Sequence, residues 1–133
     1  MNKIIGKNIN LRLVEIEDAG FLLSLRSDPK KNKHLSTVDD DLEKQKDWLR
    51  NYKNRELLGE EYYFIIENKF DEPLGCVRIY GFVGDSFTWG SWILREGSPP
   101  NAAIESAVQI YDFSFNNLGF SRSYFEVRKG NDS

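Results

Sequence analysis

Between Ser86 and Leu118 the chain reads SFTWGSWILREGSPPNAAIESAVQIYDFSFNNL. This is an aromatic run, a Gly-Ser-Pro-Pro turn, and an amphipathic stretch that opens on small residues. A strand that feeds a helix through a short turn makes a particular kind of corner. The first helical N–H groups have no partner inside the helix, and the helix dipole points its positive end the same way. Such a corner suits a phosphate or pyrophosphate. The other chemistry-bearing residues are sparse. One histidine (His34) and one cysteine (Cys76) cannot make a closed zinc set. Cys76 sits in an apolar, strand-like run and reads as a small buried residue.

The chain has 133 residues, 40% of them hydrophobic and 14% aromatic. That fits one globular domain, residues 1–133, able to bury a core. With 18 basic and 21 acidic residues the net charge is −3, which gives no sign of a nucleic-acid surface. Lys30, Lys31 and Lys33 read as a solvated loop. A single cysteine excludes an internal disulfide and fits a reducing compartment. No stretch approaches the roughly 18 apolar residues that span a membrane, and MNKIIGKNINLRLV lacks the apolar region of a signal peptide. The expectation is a cytoplasmic protein with neither a membrane nor a nucleic-acid partner.

The elements that position the corner follow from periodicity. Ile9, Leu11 and Leu13 alternate with Asn10, Arg12 and Val14 as a half-buried strand. Asp18 is placed to cap a short helix through Leu22, Leu23 and Leu25, ended by Asp28-Pro29. Lys30 to Thr37 is a loop. Asp39 to Tyr52 forms the next helix, with Leu42, Trp48, Leu49 and Tyr52 mostly on one face. Glu60 to Glu67 is a continuous run of β-formers, as in a strand buried on both faces. Asn68 to Glu72 turns, Pro73 to Val83 is a strand, Gly84-Asp85 is a hairpin turn, and Phe87 to Leu94 returns. Trp89 and Trp92 fall on opposite faces of that strand, where they pack the core or, for Trp92, line a ligand cleft. A helix covers about Asn101 to Asn117, with Ile104, Ala107, Val108, Tyr111, Phe115 and Leu118 at helical spacing and Gly119 as C-cap. Ser123 to Arg128 is the last strand. The order is β-α-α-β-β-β-α-β, a mixed α/β (α+β) and mainly antiparallel sheet with flanking helices. The crossover from Phe87 to Val127 brings its two strands parallel or near-parallel.

This order, the two helices after the first strand and the strand-turn-helix unit resemble the GNAT superfamily of acetyl-coenzyme A-dependent N-acetyltransferases. Thr88-Trp89-Gly90-Ser91-Trp92-Ile93-Leu94 is similar to the fourth strand of the ribosomal-protein and amino-sugar branch, in which a Gly and a Trp occupy the places of Gly90 and Trp92. Val127 to Ser133 resembles the fifth strand followed by the family's Asn, here Asn131. The resemblance implies a pyrophosphate loop of the form Gln/Arg-x-x-Gly-x-Gly/Ala at Ser98-Pro99-Pro100-Asn101-Ala102-Ala103. Ala103 matches, Asn101 replaces a Gly, and Pro99 and Pro100 remove two N–H donors. It further implies that the chain lacks the family's final helix and strands. The last strand is then an open edge, suited to another chain or to a homodimer.

The activity implied is acetyl transfer from acetyl-CoA to a primary amine, carried by an amino sugar or by a protein N-terminus. Ile93, Leu94 and Arg95 would pair with the pantetheine arm like a strand. Ser98, Asn101, Ala102 and Ala103 would contact the pyrophosphate. Asn131 would meet the coenzyme arm or simply follow Gly130 in a turn. The catalytic residues stay unknown. The strand position that often carries a Glu in relatives falls at Thr88, which cannot act as base. Glu72 and His34 remain, each more simply read as a surface group. A non-catalytic coenzyme-binding or dimerising domain is the alternative reading.

Overall fold

The computed structural model describes residues 3–26 and 38–125. Six strands lie side by side in chain order: β1 (Ile4–Ile5), β2 (Ile9–Leu13), β3 (Tyr62–Asn68), β4 (Pro73–Val83), β5 (Ser86–Leu94) and β6 (Arg122–Phe125). All neighbours are antiparallel except β5 and β6, which run parallel. Helices α1 (Ala19–Arg26) and α2 (Val38–Leu57) come between β2 and β3, and α3 (Pro100–Asp112) crosses from β5 to β6. This is the expected mixed, mainly antiparallel α/β order with one short strand added at its start.

Alternation along β3 explains the two cores. Tyr63 and Ile65 face one way, with Val14, Ala19, Leu22, Leu49, Tyr52 and Cys76 under α1 and α2. Phe64 and Ile66 face the other way, with Leu11, Val77, Ile79, Phe87, Trp89, Ile110 and Phe113 under α3. A central strand dressed on both faces must be apolar throughout, and Tyr63 to Ile66 are all buried. Edge-to-face rings add direction on the α3 side. Phe113 stands against Tyr62 and Phe64, with centroids 5.9 and 5.6 Å away.

One polar latch fixes α3 to the far side of the sheet. The Glu105 carboxylate accepts N–H bonds from Asn8 (2.9 Å) and Ile9 (3.1 Å) and a third bond from the Asn8 amide (3.0 Å). Burial pushes this carboxyl up, but those hydrogen bonds, with one from Lys7, outweigh it and hold the group below its ordinary 4.5.

Several boundaries differ from the sequence reading for identifiable reasons. Asp18 is not an N-cap. Glu15 caps a 3₁₀ turn at Ile16–Asp18, and Asp18 reaches back to the Glu15 N–H (2.7 Å) while gripping Arg12 with both oxygens at 2.8 Å. Helix α2 runs five residues past Tyr52 because its polar last turn continues until Gly59, at φ 73°, stops it. The expected apolar face of α3 is partly wrong: Ile104 and Val108 are exposed, and the inward stripe is Ala102, Ser106, Gln109, Ile110 and Phe113. Two polar residues belong to the buried stripe because each finds a partner there. Beyond Asp112 the helix widens into a π turn at Phe113–Asn117, where the Leu118 N–H bonds to Phe113 O. Gly119, at φ 81°, then lets the Phe120 N–H reach Ser114 O. The Gly84-Asp85 hairpin turn lies where expected. The 30–37 loop with His34, the Asp28-Pro29 stop, the strand residues after Phe125 and Asn131 lie outside the described residues.

Candidate functional site

The last third of β5 departs from a regular strand at one residue. Cys76 pairs with Ile93 and Arg78 with Gly90, so Ser91 and Trp92 together oppose the single residue Val77. This is a β-bulge. Ser91 has φ 49°, a left-handed backbone that non-glycine residues seldom adopt; among described residues only Asp71, in an exposed turn, shares the trait. The extra residue changes which face each later side chain takes. Trp92 joins Trp89 on the α3 side, their rings 5.3 Å apart, while Ile93 packs toward α1 and α2. The expectation of opposite faces for the two tryptophans is therefore overturned, because three residues of regular strand would separate faces and the bulge inserts one.

The bulge is gripped from both faces. On the α3 side the Trp92 indole N–H donates to Ser106 Oγ (3.1 Å), and Ser106 donates to Ala103 O (3.0 Å) in the helix's first turns. On the other side the Cys76 thiol lies 3.2 Å from Ser91 O. Tyr63 Oη is 3.7 Å from that sulfur and accepts a bond from Arg26 (3.0 Å) at the end of α1. Burial pushes both the Cys76 thiol and the Tyr63 phenol up, so both stay protonated and able to donate.

Past the bulge, β5 runs into the corner the sequence pointed to. The Arg95 N–H is spent on Leu74 O (2.7 Å). Strand alternation then turns Leu94's backbone groups to the opposite edge, beyond the last described β5–β6 pair, Trp89 with Phe125. Ile93, by the same alternation, faces β4. The Ser98 N–H and hydroxyl both bond to Arg95 O (3.2 and 2.7 Å), which closes the turn. Pro99 and Pro100 carry no N–H, and the Ala102 N–H is taken by Pro99 O (3.0 Å). Ala102 is fully buried and Ala103 half-buried. Among described residues the N–H groups of Glu96, Gly97 and Asn101 have no protein acceptor, and Arg95 has no ion pair. The turn thus gathers Leu94, Arg95, Gly97 and Asn101 as a donor-rich, exposed corner.

The opposite face of β5 carries Thr88 and Gly90, which alternate with Phe87 and Trp89. Beside them stand Arg78, paired with Gly90, and Tyr80, paired with Thr88. Glu61, which precedes β3, brings a carboxylate to Arg78 on this face. Glu72 lies in the β3–β4 turn, exposed, its carboxylate on the Asn68 amide (2.8 Å). Periodicity and spacing did not single out Ser91, Ser106, Arg78 or Glu61. Two tryptophans an odd number of residues apart, with Gly90 between them, were the available sign of the bulge. Among described residues no cluster of His, Cys, Asp or Glu could hold a metal ion, and no helix is long and apolar enough to cross a membrane.

The acetyltransferase (GNAT) domain model matches residues 8–133. The chain belongs to the GNAT acetyltransferase family. Among solved structures this GNAT chain is similar to FdhC, described as a nucleotide-linked sugar GNAT, with 48% identity over 99% of this chain and 76% of that one, at a TM-score of 0.84. RimL, a ribosomal L7/L12 alpha-N-protein acetyltransferase, shares the fold at 13% identity, covering 98% of this chain and 74% of that one, with a TM-score of 0.78. A RimL complex with coenzyme A aligns over 98% of this chain and 77% of that one, at 14% identity and a TM-score of 0.75. Among curated proteins none matches.

Proposed function

We propose that this GNAT domain takes acetyl-CoA at the β5–α3 corner and acetylates the amine of a nucleotide-linked amino sugar. The observation that carries the acceptor is the 48% identity to a nucleotide-linked sugar GNAT across almost the whole chain. The corner's chemistry supports the donor. Asn101, Gly97 and Glu96 offer N–H groups at a helix start, and Arg95 offers a positive charge, which together fit a pyrophosphate. Leu94's outward backbone groups suit a strand-like pairing with an amide-bearing arm. When bound, acetyl-CoA supplies the thioester carbon that the amine attacks. The protein's part is positioning. The bulge at Ser91, fixed by Cys76 and Trp92, sets where the β5 edge presents its groups, and Ser106 holds the helix start against that edge.

Calorimetry with acetyl-CoA tests the donor site, using Ala103→Glu as the control. Micromolar binding that the added carboxylate abolishes is the expected result. Binding that survives the substitution would move the pyrophosphate elsewhere. The acceptor is tested by thiol release with nucleotide-linked amino sugars and with N-terminal peptides. Turnover of peptides alone would replace the sugar reading with the protein N-terminus.

A further inference from the structure

Glu61, Arg55 and Arg78 form a cluster against Trp48 on the α1/α2 face, apart from the donor corner. Glu61 is a buried carboxylate, its side chain 6% exposed. One oxygen is paired with Arg55 Nε, the other with Arg78 Nε at 2.8 Å. Glu56, next to Arg55 in α2, is occupied by Tyr52 Oη (2.6 Å) and Lys53 (3.0 Å), and among described residues no other carboxylate pairs with either arginine. Two guanidiniums therefore share one negative charge and leave a surplus of one positive charge.

The surplus is held in a fixed place. Both guanidiniums lie over the Trp48 ring, 5.2 and 5.6 Å from its centre, and Arg78 lies 4.0 Å from the centre of Tyr80. Stacking of this kind fixes the plane of the fork. Each arginine spends its Nε side on Glu61, and among described residues no protein acceptor takes the terminal N–H groups of either. Arg78 Nε itself lacks an aligned hydrogen bond. Half-buried forks with unspent donors and an excess charge match an oxyanion bound by two N–H groups at once. The location matters too. Arg78 pairs with Gly90, the residue before the bulge, so the fork stands beside the point where β5 departs from a regular strand. The cluster lies on the face opposite the one covered by α3.

We propose that Arg55 and Arg78, anchored on Glu61 and stacked on Trp48, bind the diphosphate of a nucleoside diphosphate carried by the acceptor. This rests on the nucleotide-linked acceptor named above. It makes the cluster the element that distinguishes a nucleotide-linked amino sugar from a free one. Donor and acceptor then bring their phosphates to opposite faces of β5.

The test is calorimetry with uridine diphosphate, thymidine diphosphate and acetyl-CoA on the wild type, Arg78→Gln, Arg55→Gln and Arg78→Lys. The expected result is nucleoside diphosphate binding to the wild type, weakened tenfold or more by Arg78→Gln and by Arg55→Gln. Arg78→Lys keeps the charge but loses the fork, and falls in between. Acetyl-CoA affinity stays at the wild-type value in all three variants, which also certifies their folding. If Arg78→Gln fails to fold, Arg55→Gln and Arg78→Lys carry the same readout. With a nucleotide-linked amino sugar, KM rises and kcat holds. The proposal is overturned if neither diphosphate binds the wild type, if binding ignores the arginines, or if acetyl-CoA affinity falls in parallel. Diphosphate binding that depends on Arg78, without turnover of any amino sugar, would leave this site standing and remove the proposed acceptor instead.

Discussion

Replacing Ser106 by Ala tests whether the bulge and the helix start act as one unit. Ser106 is fully buried and accepts the Trp92 indole N–H at 3.1 Å while donating to Ala103 O at 3.0 Å. Losing the acceptor leaves a half-buried indole N–H without its partner, a cost of about 1–2 kcal/mol. Ala103 O keeps its place in the helical ladder, so losing the hydroxyl there costs little. Alanine returns about 0.5 kcal/mol of helix propensity. The net loss is about 1 kcal/mol, or a fall of roughly 3–5 °C in Tm for a chain of this size. Trp92→Phe removes the donor instead and also trims packing against Trp89 and Phe125, whose rings lie 5.3 and 6.3 Å away. In a double-mutant cycle by urea unfolding, the pair should lose about 1 kcal/mol less than the sum of the singles. Each single should raise the acetyl-CoA KM several-fold with kcat nearly unchanged, because only the placement of the corner is loosened. Additivity within about 0.3 kcal/mol would refute the coupling. A fall in kcat at constant KM would refute the assignment of this bond to donor positioning.

Ser91→Gly relieves a left-handed backbone that costs about 1–2 kcal/mol for an L residue, against about 0.5–1 kcal/mol of glycine entropy. It should unfold at equal or higher urea than the wild type, and Ser91→Val at distinctly lower urea. The Cys76 thiol, buried and pushed up, should ignore Ellman's reagent at pH 8 in the native protein and react fully in guanidinium. Glu105 titrates below its ordinary 4.5 when folded, so its contribution is complete above that value and is lost as pH falls through the lower folded one. Glu105→Gln should therefore lose stability at pH 7 while losing less than the wild type on acidification, as read by thermal melts from pH 7 to pH 3.

The elements were legible wherever a residue leaves the backbone one choice. Gly84 marked the β4–β5 turn, Gly119 the end of the crossover helix, and the run Tyr63 to Ile66 a strand covered on both sides. What periodicity could not show is a change of phase. Gly90 stands just before the bulge, but the left-handed residue is Ser91 itself, and its strain is held by contacts from Cys76 and Trp92, residues distant in sequence or already read as core. Helix α3 misled for a related reason. Ile104 and Val108 look like core, yet the inward face uses Ser106 and Gln109, whose burial depends on Trp92 and on the β1–β2 segment. The Arg55–Glu61–Arg78 cluster was hidden because charged residues on three separate elements meet only when the sheet and α2 are assembled.

The Glu105 latch has a consequence for the order in which the chain acquires its structure. It joins groups 97 positions apart, so it closes one of the longest loops in the molecule. Contacts of that separation form late, because the chain must surrender its freedom before they give anything back. The β2–β5 meander can assemble on a ribosome while α3 is still being made. Until Glu105 emerges, the side of the sheet bearing Phe64, Val77 and Ile79 faces solvent. A nascent chain paused before that point is a sticky one, and α3 is as much the lid that ends this exposure as it is the floor of the donor corner.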